Sequence, residues 1–281
     1  MALILVRYAE IGLKSRPVRR RFEAMLRENI GDMLARDGVE ALISVENSRL
    51  YVQCEDEEGA LLALRRVFGV ASVSVVELHE GDLEEVCAAA ARYSLGKLSE
   101  GQSFAVRPRR EGVHDFTSMD LGREVGSAIF LANEHLGVRV DLSNPDVEFF
   151  IELRQRRAYI FQDYLPGPGG LPLGSQGRVL ASIRDDRDAL AAWMMMRRGC
   201  RVLLHGEGRN ELLERYDPKL RHVEGNLEEA LRSSGALGVV SGETLADLEL
   251  IEQAHNPELT AFHPLVGLSK EEVSKMFAGL I

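Results

Sequence analysis

The stretch PGPGGLPLGSQGRVLASIRDDRDALAAWMMMRRGC, Pro166–Cys200, decides how the chain is read. A Pro/Gly segment is followed by an apolar run, RVLASI, a charged turn, RDDRD, and an amphipathic run, ALAAWMMMRR, that stops at Gly199. Coil, strand, turn and helix in that order open an α/β domain built on a parallel sheet, and Val202–Leu204 then reads as its next strand. Nucleotide-binding sheets of this kind place glycines in the first strand-to-helix turn. Here that turn holds Arg184, Asp185, Asp186, Arg187 and Asp188.

Working back from this stretch, the first 78 residues show the order β-α-β-β-α-β of a small ferredoxin-like unit. Ala2–Tyr8 is its first strand. Phe22, Met25, Leu26, Ile30, Met33 and Leu34 then recur at three- and four-residue spacings along a helix from Pro17 to Arg36. Strands over Ala41–Val45 and Leu50–Gln53, a helix over Glu57–Val67 and a strand over Ala71–Leu78 complete it. Residues 79–165 form a second α/β unit, with helices from Leu83 and Ser118, the latter capped by Asp115 or Thr117, and a hairpin of Val147–Leu153 with Ala158–Phe161. In the hairpin, Val147, Phe149, Ile151 and Leu153 should be buried while Glu148, Phe150 and Glu152 face away. Residues 166–176 read as a linker. Residues 177–281 read as an abbreviated doubly wound domain of three or four strands, with helices over 207–214, 227–231, 243–254 and 269–280, the last capped by Ser269.

Composition sets limits on function. The chain has 281 residues, enough for two or three domains, and a formal charge of −10 that argues against a general nucleic-acid coat but not against a local basic face. Cys54, Cys87 and Cys200 form no CxxC pair and no disulfide framework, and no apolar run reaches membrane-span length. The first thirty residues carry a charged amphipathic pattern in place of a signal peptide. A soluble, cytoplasmic protein with no membrane partner is expected.

Several strings resemble the tRNA 4-thiouridine synthases, also described as tRNA sulfurtransferases or thiamine-biosynthesis sulfurtransferases. They are RYAEIGLKS (Arg7–Ser15), RRRFEAMLRENI (Arg19–Ile30), VFGVASVS (Val67–Ser74), FAVRPRR (Phe104–Arg110), DFTSMDLGREVGSAI (Asp115–Ile129), VDLSNPDVEFFIELR (Val140–Arg154), GPGGLPLGSQGRVL (Gly167–Leu180), AAWMMMRRG (Ala191–Gly199), SGETL (Ser241–Leu245) and HPLVGLSKEEV (His263–Val273). The resemblance implies a ferredoxin-like domain, a THUMP domain and a PP-loop ATP-pyrophosphatase domain, hence a multidomain α/β protein. It also implies tRNA as partner and ATP-dependent sulfur transfer to uridine as the family activity.

The family's loop reads SGGIDSP, in which glycines free main-chain amides to surround the phosphates of ATP. This chain has SIRDDRDAL at Ser182–Leu190, with no Gly-Gly pair and three aspartates. The segments after RVLLH and after SGETL are also shorter than in the family. The expectation is therefore a tRNA-docking protein that has lost uridine adenylation, with no cofactor, no catalytic residue and no metal site, acting with a separate modification enzyme or as a homodimer. The alternative is an active ATP- and magnesium-dependent tRNA uridine sulfurtransferase with a divergent pocket, in which Ser182 and Asp188 are the remnant ligands.

Two clusters are assigned to RNA. Lys14, Arg16, Arg19, Arg20 and Arg21 stand where seven Lys/Arg face three acids over residues 1–30, suited to phosphate contact. Arg107, Arg109, Arg110, Thr117, Ser118, Met119 and Arg123 sit at a strand end and the following helix start, where the resemblance places contact with a 3′-terminal CCA. The bland readings are a solvated helix face and salt bridges to Asp115 and Asp120. Arg154, Arg156 and Arg157 at the hairpin tip would extend the second surface. Asp185, Asp186 and Asp188 read as an exposed turn rather than a metal site, Cys200 as a core residue rather than a sulfur carrier, and Trp193 with Met194–Met196 as helix packing. His205 and His263 give no acid–base pair.

Overall fold

Apolar spacing and capping residues account for most of the elements found. A computed structural model describes residues 1–46, 48–206, 210–253 and 259–280. In chain order its elements are β1 (Ala2–Arg7), α1 (Arg16–Arg36), β2 (Ala41–Glu46), β3 (Arg49–Cys54), α2 (Glu57–Leu64), β4 (Ser72–Val75), β5 (Glu77–Glu80), α3 (Leu83–Ser94), β6 (Ser103–Glu111), α4 (Ser118–Ala132), β7 (Arg139–Val140) and β8 (Val147–Arg154). They continue with β9 (Arg157–Phe161), β10 (Leu165–Pro166), β11 (Arg178–Ala181), α5 (Asp186–Arg197), β12 (Arg201–His205), α6 (Glu211–Tyr216), β13 (Arg221–Val223), α7 (Leu227–Ser234), β14 (Val239–Val240), α8 (Leu248–Gln253), β15 (Ala261–Phe262) and α9 (Lys270–Ala278). The strands form three sheets of order β10-β4-β1-β3-β2, β5-β9-β8-β6-β7 and β13-β12-β11-β14-β15.

The chain divides into two compact units. One comprises Met1–Leu5, Tyr51–Gln53 and Ser74–Leu165, and the other Val6–Leu50, Cys54–Val73 and Pro166–Ile281. The strand expected over Ala71–Leu78 is two strands, β4 and β5, in different sheets. Adjacent Val75 and Val76 break the period-two alternation, and the pairing changes there.

In the first unit, β6 pairs in parallel with β8 over eight residues, and β8 runs antiparallel to β9. Phe149, Ile151 and Leu153 of β8 are fully buried with Phe104 and with Leu121, Val125 and Ile129 of α4. The opposite face differs from the expectation, because Glu152 and Arg154 are buried too, at 2 % and 3 % exposure. Arg154 donates to Glu152 at 2.6 Å and pairs with Glu111 at 2.7 Å, so it is a paired interior cation and not part of a tip surface. A charge at such depth persists only when paired.

In the second unit, the third sheet is parallel throughout its described strands. Val179, Ala181, Val202 and Leu204 face α5, α6 and α9, while Leu180 and Leu203 face Ala230 of α7. This alternation is a sheet covered on both sides, the doubly wound arrangement. Among the described residues it has five strands rather than three or four, because short β13 and β15 extend the two edges. Trp193 is buried against Phe68, 5.4 Å between ring centroids, and Tyr216, 5.7 Å. No helix among the described residues is long and apolar enough to cross a membrane.

Candidate functional site

In sheets of order 3-2-1-4-5 the ligand crevice lies beyond the carboxyl ends of the strands, where the winding reverses. Here the reversal falls between β11 and β14. The turn after β11 supplies Ser182 to Asp185, and the turn after β14 supplies Ser241, Gly242 and Glu243.

Asp185 is the N-cap of α5, and its Oδ1 accepts hydrogen bonds from the amides of Arg187 and Asp188 at 2.9 and 3.1 Å. Those are the first-turn amides that an anion at a helix N-terminus would use. Asp188 departs from the expected exposed turn: it is 2 % exposed. Its carboxylate accepts from the Arg184 amide, from Arg184 Nε and Nη2 at 2.8 and 3.0 Å, and from the Gly242 amide at 2.8 Å. The partner that pulls it inward is 54 residues away in sequence. Burial pushes its pKa up, but the Arg184 side chain and the two amides outweigh this and hold the carboxyl below its ordinary value.

Around this bridge the remaining charges are also engaged. Arg184 reaches Glu243 at 3.1 Å, and Arg187 reaches Asp247 at 3.1 Å. Glu243 is hydrogen-bonded by Ser241 and lies 3.3 Å from His263 Nδ1. Burial raises the Glu243 pKa, yet Ser241 and Arg184 bring it below the usual carboxylate range. Gly242 presses onto the helix start, where a Cβ would meet the Arg187 carbonyl carbon and the Asp188 amide at 2.6 Å.

Ser182 lies beside this closure and not within it. Its Oγ is 3.0 Å from His205 Nδ1, and His205 Nε2 is 3.0 Å from the Gly225 carbonyl, which ties together the ends of β11, β12 and the β13 turn. Sequence distance hid this pair. Cys200 is buried, with Sγ 3.8 Å from the Gln176 carbonyl, and burial pushes its thiol pKa up, away from the thiolate that sulfur chemistry uses. Among the described residues no three His, Cys, Asp or Glu gather as a metal site. The helix expected over 207–214 is described only from Glu211, and residues 207–209 lie outside the described set, as do 254–258.

The first unit contains a cavity of about 1140 Å³ between β6 and α4. It brings together Arg107, Arg109, Ser118, Met119 and Arg123 of the predicted set, while Arg110 and Thr117 are not among its lining. Thr117 instead closes α4 with a capping box, its hydroxyl and amide bonded to Asp120 and the Asp120 amide returning to it. Those bonds hold the Asp120 carboxyl below its ordinary pKa. Arg107 pairs with Glu148 at 2.6 Å and donates to the Leu142 carbonyl, and Arg123 pairs with Asp120 and Glu124. Arg109 is exposed and has no carboxylate within 4.0 Å among the described residues. The sequence reading missed the apolar lining of Phe130, Leu131, Val140, Leu142, Phe150 and Tyr164. Its one signal was Phe150, set on the opposite side of β8 from the core residues.

In the second unit Lys14, Arg16, Arg20 and Arg21 are exposed around the start of α1. Arg19 is half-buried, bonding the carbonyls of Gly12 and Lys14, and so holds the preceding turn.

Comparison with known proteins gives the family. A ThiI ferredoxin-like domain matches residues 3–74 and a THUMP domain matches residues 80–163. The probable tRNA sulfurtransferase of Methanocaldococcus jannaschii is 34 % identical over 97 % of this chain and 86 % of that protein. That of Methanosarcina acetivorans is 40 % identical over 71 % of this chain, but the match spans only 49 % of that relative's length. The structure of PH1313 from Pyrococcus horikoshii Ot3 superposes with a TM-score of 0.84 at 29 % identity, covering 100 % of this chain and 99 % of that one. A 4-thiouridine synthetase–RNA complex with bound ATP gives a TM-score of 0.77 at 22 % identity, covering 100 % of this chain and 85 % of that one, a likeness of fold. The chain belongs to the tRNA sulfurtransferase family.

Proposed function

We propose that this protein docks tRNA through its N-terminal ferredoxin-like and THUMP modules and has lost ATP-dependent uridine adenylation. The observation that carries the second half is the closure at the sheet's reversal point. The amides that a phosphate would occupy are held by Asp185, and the loop after β14 is pinned onto the helix start by Asp188 and Gly242. A polyphosphate would have to displace two carboxylates and approach Asp186 as well, with no glycine pair to bring main chain toward it. The residues present therefore do not fit ATP.

Support for the first half comes from the relatives named for tRNA sulfur transfer, from the solved relative in complex with RNA, and from the exposed cations at the start of α1 and beside the β6–α4 cavity. An apolar cavity rimmed by Arg109 and Arg123 suits an unstacked base with its phosphate, which is how proteins read single-stranded RNA. Any sulfur chemistry on the bound tRNA would belong to a separate modification enzyme.

The test is calorimetric titration with ATP and magnesium, with and without unmodified tRNA. Silence toward ATP together with salt-dependent tRNA binding is expected. ATP binding at or below ~1 mM would overturn the loss of adenylation and favour an active sulfurtransferase with a divergent pocket.

A further inference from the structure

We propose that the third domain, although closed to ATP, carries an RNA-contact surface of its own: Arg197 and Arg198 at the end of α5 bind the phosphodiester backbone of the docked tRNA. This rests on the tRNA reading above and extends it to a part of the fold that the predicted clusters do not include.

Both arginines are exposed, and among the described residues neither has a carboxylate within 4.0 Å. Arg184, Arg187 and Arg201 of the same domain are each paired with an aspartate. In a chain of net charge −10, two adjacent unpaired guanidiniums run against the prevailing balance. Arg197 is also held in place. The Arg197 guanidinium lies 5.8 Å from the Trp193 ring centroid, and the Leu171 amide donates to the Arg197 carbonyl at 3.0 Å. Gly170 passes so close to that carbonyl that any Cβ would overlap it, so the linker straps the helix end without a side chain in between.

The two side chains border a hollow of about 560 Å³ whose floor includes Met194, Met276 and Phe262, with His263 at one side. Its size is in the range of small-ligand sites. An apolar lining beside two adjacent cations matches a nucleotide unit, with the base or sugar against the thioethers and the phosphate against guanidinium. One acid, Glu10, stands on the rim. Glu10 opens the short turn Glu10–Leu13 that leads directly to Lys14 and Arg16, so the hollow adjoins the N-terminal cationic cluster within the same unit.

Cations at a helix C-terminus also favour its dipole, a purely structural use. Salt dependence separates the two. Each phosphate contact contributes about 0.9 to the slope of log K against log salt on B-form duplex DNA and about 0.7 on single strands, a range that brackets the expectation for tRNA. The double variant Arg197→Gln/Arg198→Gln is therefore expected to lower the slope for tRNA by roughly 1.4–1.8 and to weaken binding on the order of tenfold or more at ~0.1 M salt. Glu10→Gln should strengthen binding severalfold, an effect of opposite sign that misfolding would not produce. Arg232→Gln, an exposed cation on α7, serves as a control for net charge and should leave the slope unchanged. Trp193 fluorescence reports whether the domain remains folded. Wild-type binding with an unaltered slope in the double variant overturns this inference alone. Failure of the wild-type protein to bind tRNA overturns the docking reading and this one with it.

Discussion

Replacing Asp188 with alanine tests whether the closure at the sheet's reversal point is structural. The substitution removes the acceptor for the buried Gly242 amide and for three groups on Arg184. An unsatisfied buried amide costs about 1–3 kcal/mol. Breaking a fully buried ion pair would add about 3–5 kcal/mol, but the Arg184 side chain is 65 % exposed and recovers water, which reduces its share to about 1 kcal/mol. The expected loss is thus on the order of 2–4 kcal/mol. The protein's single tryptophan, Trp193, sits in the same helix and is buried against Phe68 and Tyr216, so its fluorescence follows this domain's unfolding. With a urea slope of about 2 kcal/mol/M, the midpoint should fall by roughly 1–2 M. Asp188→Asn keeps one acceptor for Gly242 and should fall between wild type and Asp188→Ala. A double-mutant cycle with Arg184→Met should show coupling of about 1 kcal/mol. A midpoint for Asp188→Ala within ~0.2 M of wild type would refute the argument that the carboxylate holds the two turns together.

The same domain should respond to acid. Asp188 and Glu243 have folded pKa values below their unfolded ones, so their stabilisation is present above about pH 4 and lost as pH falls through the folded values; Asp188→Asn should flatten that decline in Trp193-monitored stability. Thr117→Ala removes the capping box of α4 and should cost about 1 kcal/mol in thermal unfolding of the first unit, with Thr117→Ser close to wild type. Gly170→Ala places a Cβ against the Arg197 carbonyl at a backbone φ of 75° and should destabilise the Trp193-reported transition by more than the ~1–2 kcal/mol of the left-handed conformation alone. Arg109→Ala should weaken tRNA binding and lower its salt slope by about 0.7–0.9, one phosphate contact, without changing stability.

What was legible in the sequence follows from how local each signal is. The apolar spacing of α1, the burial of Phe149, Ile151 and Leu153, and the caps of α4 and α9 are written within one element and appear in the structure, whereas Val147 of the same expected face is only half-buried. The strands β13 and β15 are two or three residues long and include Arg221, His222 and Ala261, so neither composition nor period marks them. They exist because β12 and β14 present open edges for pairing. Arg154 and Asp188 were misread for one reason. A charged residue in a charged stretch looks solvated, and only the fold supplies its cover: Glu152 and Glu111 for the first, Gly242 and Arg184 for the second.

Under the proposed loss of adenylation, the burial of Asp188 also bears on how a phosphate-binding domain would survive a change of use. Amides that cradle a phosphate are unsatisfied donors whenever the ligand leaves, and a helix start without an acceptor carries an uncompensated partial positive charge. On that reading, RDDRD in place of a glycine loop supplies carboxylates that stay in place. Asp185 serves the amides of Arg187 and Asp188, while Asp188 serves Gly242, and Arg184 and Arg187 balance the added acids. On the proposed reading, the stability of the site does not depend on a nucleotide. The proposal then leaves the sheet, with its two covered faces, and the cationic end of α5 as a support for docked tRNA rather than for chemistry.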